Sequence, residues 1–143
     1  MIYYIDTSVL AAYYCPETLS DKAEELITST DTPVISYLTR LELFSAISRK
    51  VREGMAPADG NKIIRQFELH LLEQKLYRQL DIEEHHYTMA ANWIAQFNTS
   101  LRTLDGLHLA VSYTAHLNLL TADIRLAEAA QYFGLAVTLL TAE

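Results

Sequence analysis

Short, continuous apolar runs alternate along this chain with longer stretches whose apolar residues recur every three or four positions. Ile2–Ile5, Val34–Ser36, Leu119–Thr121 and Ala136–Leu140 are runs of the first kind. They lack the in–out alternation of half-exposed strands and read as strands covered on both faces. Leu76–Leu80 reads as a further short strand. Helical periodicity fills the gaps. Thr7–Tyr14 is a short helix stopped by Pro16, and Ser20–Ser29 is a second with Ala23, Leu26 and Ile27 on one face. Thr39 is placed as the N-cap of a long helix that runs to Arg52 and ends near Gly54. Asp59–Glu73, Glu83–Phe97, Thr103–His116 and Ile124–Phe133 complete the set, the last stopped by Gly134. Met89, Trp93 and Phe97 recur at a spacing of four, the pattern of a helix face turned to a core.

Strands alternating with helices predict a three-layer α/β/α domain around a parallel sheet. The 143 residues suit a single domain spanning 1–143, with no internal repeat or linker. In such sheets, sites form outside the carboxyl ends of the strands, where strand order reverses.

Composition narrows the function classes. Half of the residues are hydrophobic and a fifth are charged, enough for a real core, and no apolar run is long enough to span a bilayer. The amino-terminal stretch lacks the basic start and small-residue cleavage site of a leader, so a strand is expected there. Cys15 is the single cysteine, which excludes an internal disulfide and a cysteine-based zinc site and fits a reducing, cytoplasmic setting. Eighteen Asp and Glu against 11 Lys and Arg give a net charge of −7. That balance argues against bulk attraction to nucleic acid; acting on RNA would need a local basic patch or a cation that offsets the carboxylates. Arg49, Lys50 and Arg52 cluster where the long helix ends, and basic residues there complement its dipole.

Candidate chemistry gathers at the junctions between elements. Asp6 directly follows the first strand. Glu42 lies one turn into the helix after the second, in SYLTRLELFSA. Asp105 lies in a first helical turn, in LRTLDGLHLA, and Asp123 sits two residues past a strand, in LLTADIRLAEAA. Each has a structural explanation: Asp6 and Asp123 as N-caps, Thr39 and Glu42 as a T-x-x-E capping box, Asp105 as an acid favoured by a helix dipole. Capping does not explain why acids occupy so many junctions along what would be one sheet edge. Two such charges ~4 Å apart repel by about 4 kcal/mol at an effective dielectric of 20. A divalent cation removes that cost, and an all-oxygen acidic site suits Mg²⁺ or Mn²⁺ rather than zinc.

The stretches YIDTSVL, SYLTRLELFSA, LRTLDGLHLA and LLTADIRLAEAA, taken in order, resemble the four acidic motifs of the PIN-domain nucleases, and most of all those of the VapC-type toxins of toxin–antitoxin pairs. The resemblance spans essentially the whole chain. It implies a Mg²⁺-dependent endoribonuclease with a parallel sheet in the order 3-2-1-4-5. It further implies that Asp6 and Asp105 hold the main metal, that Glu42 is the motif glutamate, and that Asp123 assists through water or a second metal. Thr7 or Ser8, and Thr121, match hydroxyls that support the site. RNA as substrate, an antitoxin partner and a homodimer are likewise implied. The expected dimer face is apolar surface around Leu10–Tyr14 and Leu41–Ile47.

Other residues point less directly. His108 lies inside an apolar helix and reads as a packing residue, while His85 and His86, near a helix start, read as solvated. Arg102 either meets a phosphate or pairs with an acid. Tyr3, Tyr4, Tyr13, Tyr14 and Tyr37 read mainly as core or interface. Haloacid-dehalogenase phosphatases need a second aspartate where Ser8 stands, and receiver domains need a lysine after the last strand, where the chain reads TAE. The remaining alternative is a PIN-like RNA-binding or assembly module without catalysis.

Overall fold

The computed structural model describes residues 1–142, and in it the apolar runs become one five-stranded sheet. The strands are β1 (Tyr3–Ile5), β2 (Val34–Ser36), β3 (Arg78–Leu80), β4 (Asn118–Thr121) and β5 (Val137–Leu139). All pairings are parallel and the order is β3-β2-β1-β4-β5, as the alternation and the resemblance lead one to expect. Tyr4 registers with Val34 on one side and with Leu119 on the other, so β1 is central.

Because side chains alternate across a strand, the central strands feed two cores. Tyr3, Ile5, Ile35 and Leu120 pack with Leu10, Leu43, Ile47 and Phe67 on one face. Tyr4, Val34 and Leu119 pack with Leu109, Leu126 and Ala130 on the other. The first face is covered by α1 (Thr7–Tyr14), α2 (Ser20–Thr28), α3 (Tyr37–Arg52) and α4 (Pro57–Glu68), the last continued by a π-helical turn at Leu69–Glu73. The second is covered by α5 (Glu84–Ile94), α6 (Thr103–Thr114) and α7 (Ile124–Tyr132). Gly106 lets α6 approach α5, since a Cβ there would stand 3.1 Å from that of Ala90.

Several boundaries differ from the sequence reading. The long helix begins at Tyr37, not after Thr39: Ser36 is its N-cap, and Ser36 with Thr39 forms the capping box. The Ser36 N–H donates to Thr39 Oγ1 at 3.1 Å. Glu42 therefore belongs to no cap, and its side chain is free for other partners. The expected α4 ends in the π turn, and the strand expected at Leu76–Leu80 is confined to Arg78–Leu80. Helix α5 stops at Ile94, and Phe97, with φ 58°, stands 89% exposed rather than continuing the Met89–Trp93 face. His86 is buried, not solvated: its Nδ1 accepts the Glu83 N–H at 2.9 Å and its Nε2 meets Thr114 Oγ1 at 2.9 Å, pinning α5 to α6. Leu10, Tyr14 and Ile47 are buried in the chain's own core, so the expected dimer face keeps only Tyr37 and Leu41 as large exposed apolar groups. Arg49 pairs with Glu53 and Arg52 with Ser48 in the last turn of α3.

Leu120 is fully buried on a central strand. Leu120→Ala is expected to lower the unfolding free energy by about 2–5 kcal/mol, read from urea unfolding. A loss well under 1 kcal/mol would contradict this packing.

Candidate active site

The parallel order brings the carboxyl ends of β1, β2 and β4 to one edge, and the four junction acids follow from it. Asp6 is the first residue after β1, Glu42 lies in the second turn of α3, Asp105 in the first turn of α6, and Asp123 is the N-cap of α7. Asp6 is almost wholly buried; the other three are partly exposed.

Three of the four carboxylates share one pattern: two donors hold one oxygen, and the other oxygen has no hydrogen-bond donor among the described residues. Ser8 Oγ (2.6 Å) and Thr121 Oγ1 (2.9 Å) both donate to Asp6 Oδ2. Thr7 Oγ1 donates to Glu42 Oε1 at 2.8 Å, and His108 Nε2 bonds the same oxygen. The N–H groups of Arg125 (2.9 Å) and Leu126 (3.4 Å) donate to Asp123 Oδ1. Asp6 occupies the N-cap position of α1, yet its side chain makes no capping bond; its partners are hydroxyls. Asp123 does cap α7. Asp105 makes no side-chain hydrogen bond among the described residues.

His108 is fully buried at the centre of this group, a placement that its reading as a packing residue leaves out. Its Nδ1 lies 2.6 Å from the Tyr4 hydroxyl, and its Nε2 lies 3.9 Å from Asp6 Oδ1 besides bonding Glu42. Tyr4 donates its one proton to Ser36 Oγ at 2.9 Å. The tyrosine oxygen can then only accept from Nδ1, and an ionised Glu42 can only accept from Nε2. Both ring nitrogens therefore carry protons, and His108 is an imidazolium. The energetics agree. Burial alone would lower the His108 pKa, but Tyr4, the Glu42 hydrogen bond and the charges of Asp6 and Glu42 outweigh it and raise it well above the ordinary value. Burial alone would raise the Glu42 pKa, but the hydrogen bond and charge of His108, with the Thr7 hydroxyl, bring it below its ordinary value.

Two sequence signals bear on these contacts. Tyr4 and Asp6 are two apart on one strand face, and Asp105 and His108 are three apart on one helix face.

Asp105 carries the unrelieved charge. Burial, then Asp6, Asp123 and Glu42 push its pKa up to about 6 against the opposing pull of His108. Asp6, Asp123 and Glu42 thus all bear on Asp105. Among the described residues no three acidic, histidine or cysteine side chains are arranged to enclose an ion, since Glu42 turns to His108 and Asp123 to α7. The donor set nonetheless fits a hard divalent cation: four carboxylates, each with at least one unengaged oxygen, and a net excess of negative charge. Arg102 is the exposed N-cap of α6 and forms no ion pair among the described residues.

A family model described as the PIN domain matches residues 3–132. Among solved structures the chain is similar to FitAcB from Neisseria gonorrhoeae, with TM-score 0.70 and 19% identity over 96% of each chain. It is also similar to Mycobacterium tuberculosis VapC20, described as a sarcin–ricin loop cleaving toxin, with TM-score 0.71 and 16% identity over 90% of this chain and 95% of that one. VapBC2 from Rickettsia felis, bound to a DNA fragment from its promoter, matches with TM-score 0.70 and 15% identity over 99% of this chain and 100% of that one. No curated protein matches in sequence. At these identities the likeness to solved structures is one of fold.

A raised Asp105 pKa sets a pH dependence. The folded state holds that proton more tightly than the unfolded chain, so stability from this group is present below the ordinary carboxylate value of about 4. It is lost as pH rises through about 6. In chelator, the melting temperature of Asp105→Asn should match wild type below pH ~4 and exceed it by a plateau value above pH ~6. A difference that does not vary with pH would contradict this electrostatic account.

Proposed function

The chain belongs to the PIN-domain family, and from that premise we propose that it is a Mg²⁺- or Mn²⁺-dependent endoribonuclease, the toxin of a toxin–antitoxin pair. We read residues 1–143 as one such domain acting in the cytoplasm. The observation that carries the activity is the set of carboxylates on one sheet edge, three of them with one oxygen held and one left over. Among the described residues no helix is long and apolar enough to cross a membrane.

In this reading Asp6 and Asp105 hold the principal cation. Once bound, a divalent ion supplies Lewis acidity: it offsets phosphodiester charge and makes water a stronger nucleophile near neutral pH. The chain's own residues do the rest. Ser8 and Thr121 keep Asp6 Oδ2 engaged, so Oδ1 faces the site. Glu42, held as a carboxylate by His108, offers its unengaged oxygen to the cation, while Asp123 orients the attacking water and takes up its proton; as the new P–O bond forms the old one breaks, and the departing ester oxygen takes a proton from solvent. Arg102, at the head of the helix that bears Asp105, offers a positive charge to the RNA backbone.

RNA as the substrate class draws support from the family resemblance and from VapC20, which is described as a toxin cleaving the sarcin–ricin loop. A protein antitoxin draws support from neighbours solved as toxin–antitoxin complexes, among them one from Klebsiella pneumoniae. Exposed Tyr37 and Leu41 on α3 are candidates for a homodimer contact.

Chelator should abolish cleavage of RNA, and Mg²⁺ or Mn²⁺ should restore it while zinc does so poorly. Asp6→Asn and Asp105→Asn should each lower cleavage by about 100-fold or more, beyond what outer partners of a metal site cost, with a cooperative melt retained. Full activity in excess chelator would overturn the metal mechanism. No cleavage by wild type under any divalent condition would favour a binding or assembly module.

A further inference from the structure

Three elements that bear or lead into acids of the site meet at one imidazole. His108 comes from α6, the helix of Asp105; its Nδ1 partner Tyr4 comes from β1, the strand that Asp6 directly follows; its Nε2 partner Glu42 comes from α3. Tyr4 and His108 are both fully buried. The Tyr4 hydroxyl also donates to Ser36, the residue that caps α3. The ring is thus anchored on one nitrogen by a chain running back to the foot of the helix that carries the carboxylate on its other nitrogen. A ring flip would break both bonds at once.

We propose that Tyr4 and His108 are a positioning pair that determines which oxygen of Glu42 the site can use. The proposal rests on the nuclease reading above. His108 Nε2 and Thr7 Oγ1 converge on Oε1. That fixes the carboxylate about its terminal torsion, an otherwise broad, soft rotation, and leaves Oε2 as the available atom. Neither residue touches the substrate in this arrangement. They act through Glu42, as partners behind a metal-site ligand do, and loss of such partners typically costs 10–100-fold in metal affinity or activity.

The two ring nitrogens can be tested separately. In His108→Asn the amide lies near the position of Nδ1 and keeps a partner for Tyr4 while abandoning Glu42. In His108→Gln the amide reaches the position of Nε2 and keeps Glu42. Tyr4→Phe removes the anchor without touching Glu42 or the ring. Each full-length variant is titrated with Mn²⁺. The readouts are the midpoint of the rise in melting temperature, the Mn²⁺ requirement for RNA cleavage, and the melt in chelator as a measure of folding.

The expected order is a midpoint raised about ten-fold or more in His108→Asn, raised to a lesser degree in Tyr4→Phe, and within about three-fold of wild type in His108→Gln. Equal midpoints in the Asn and Gln variants would overturn the proposal. So would variants that melt lower in chelator yet keep the wild-type midpoint, which is the result of a purely structural role, and so would a wild type that does not respond to Mn²⁺. A wild type that is stabilised by Mn²⁺ but leaves RNA uncut would refute the nuclease reading alone, while the order of midpoints still decides the role of the pair.

Discussion

A carboxylate at the end of a central, fully covered strand must be compensated, and the compensation of Asp6 organises the edge of the sheet around it. Water cannot reach this group freely. Two hydroxyls, one from the helix it introduces and one from the end of the neighbouring strand, bond a single oxygen. Thr121 also accepts the Asp123 N–H at 3.0 Å, and Ser8 accepts the Ala122 N–H at 3.0 Å. The β1–α1 and β4–α7 junctions are therefore laced together through the carboxylate that each helps to hold. Removing these hydroxyls would leave a buried charge short of partners, a cost of about 1–3 kcal/mol or more.

The same edge carries more negative charge than its internal partners relieve. His108 supplies one positive charge, 3.9 Å from Asp6 and bonded to Glu42, and at that separation the attraction is worth about 4 kcal/mol at an effective dielectric of 20. It also pulls on Asp105, but burial, Asp6, Asp123 and Glu42 outweigh that pull and raise the Asp105 pKa to about 6. A site built this way carries unbalanced negative charge, which in the proposed reading an oxygen-seeking cation would offset. Fixing one oxygen of Asp6, Glu42 and Asp123 while freeing the other costs little in chain entropy, because the holding donors belong to residues already fixed in strands and helices.

The strands and the layer order were legible because burial on both faces leaves continuous apolar runs, and because strand–helix alternation admits few topologies. The junction acids were legible as a group for a related reason: parallel strands bring all their carboxyl ends to one edge. The start of α3 was not. Ser36-x-x-Thr39 and Thr39-x-x-Glu42 offer competing capping patterns four residues long, and only the strand's own end at Ser36 decides between them. The end of α5 was hidden because Phe97 continues the apolar spacing but leaves the helix at a positive φ. Tyr4 and His108 lie 104 residues apart, and His108 and Glu42 lie 66 apart. Such contacts depend on how α6 settles on the sheet, which local pattern does not encode, although the shared faces of Tyr4 with Asp6 and of His108 with Asp105 carry a trace of it.

The most direct measurement is a crystal structure of the protein with Mn²⁺, the ion located by its anomalous scattering. The account predicts an ion at the carboxyl edge of β1, ligated by Asp6 Oδ1 and the Asp105 carboxylate, with Ser8 and Thr121 still donating to Asp6 Oδ2 and His108 still bonded to Glu42 Oε1. An ion bound elsewhere on the protein, or one that takes Asp6 Oδ2 away from its two hydroxyls, would contradict it.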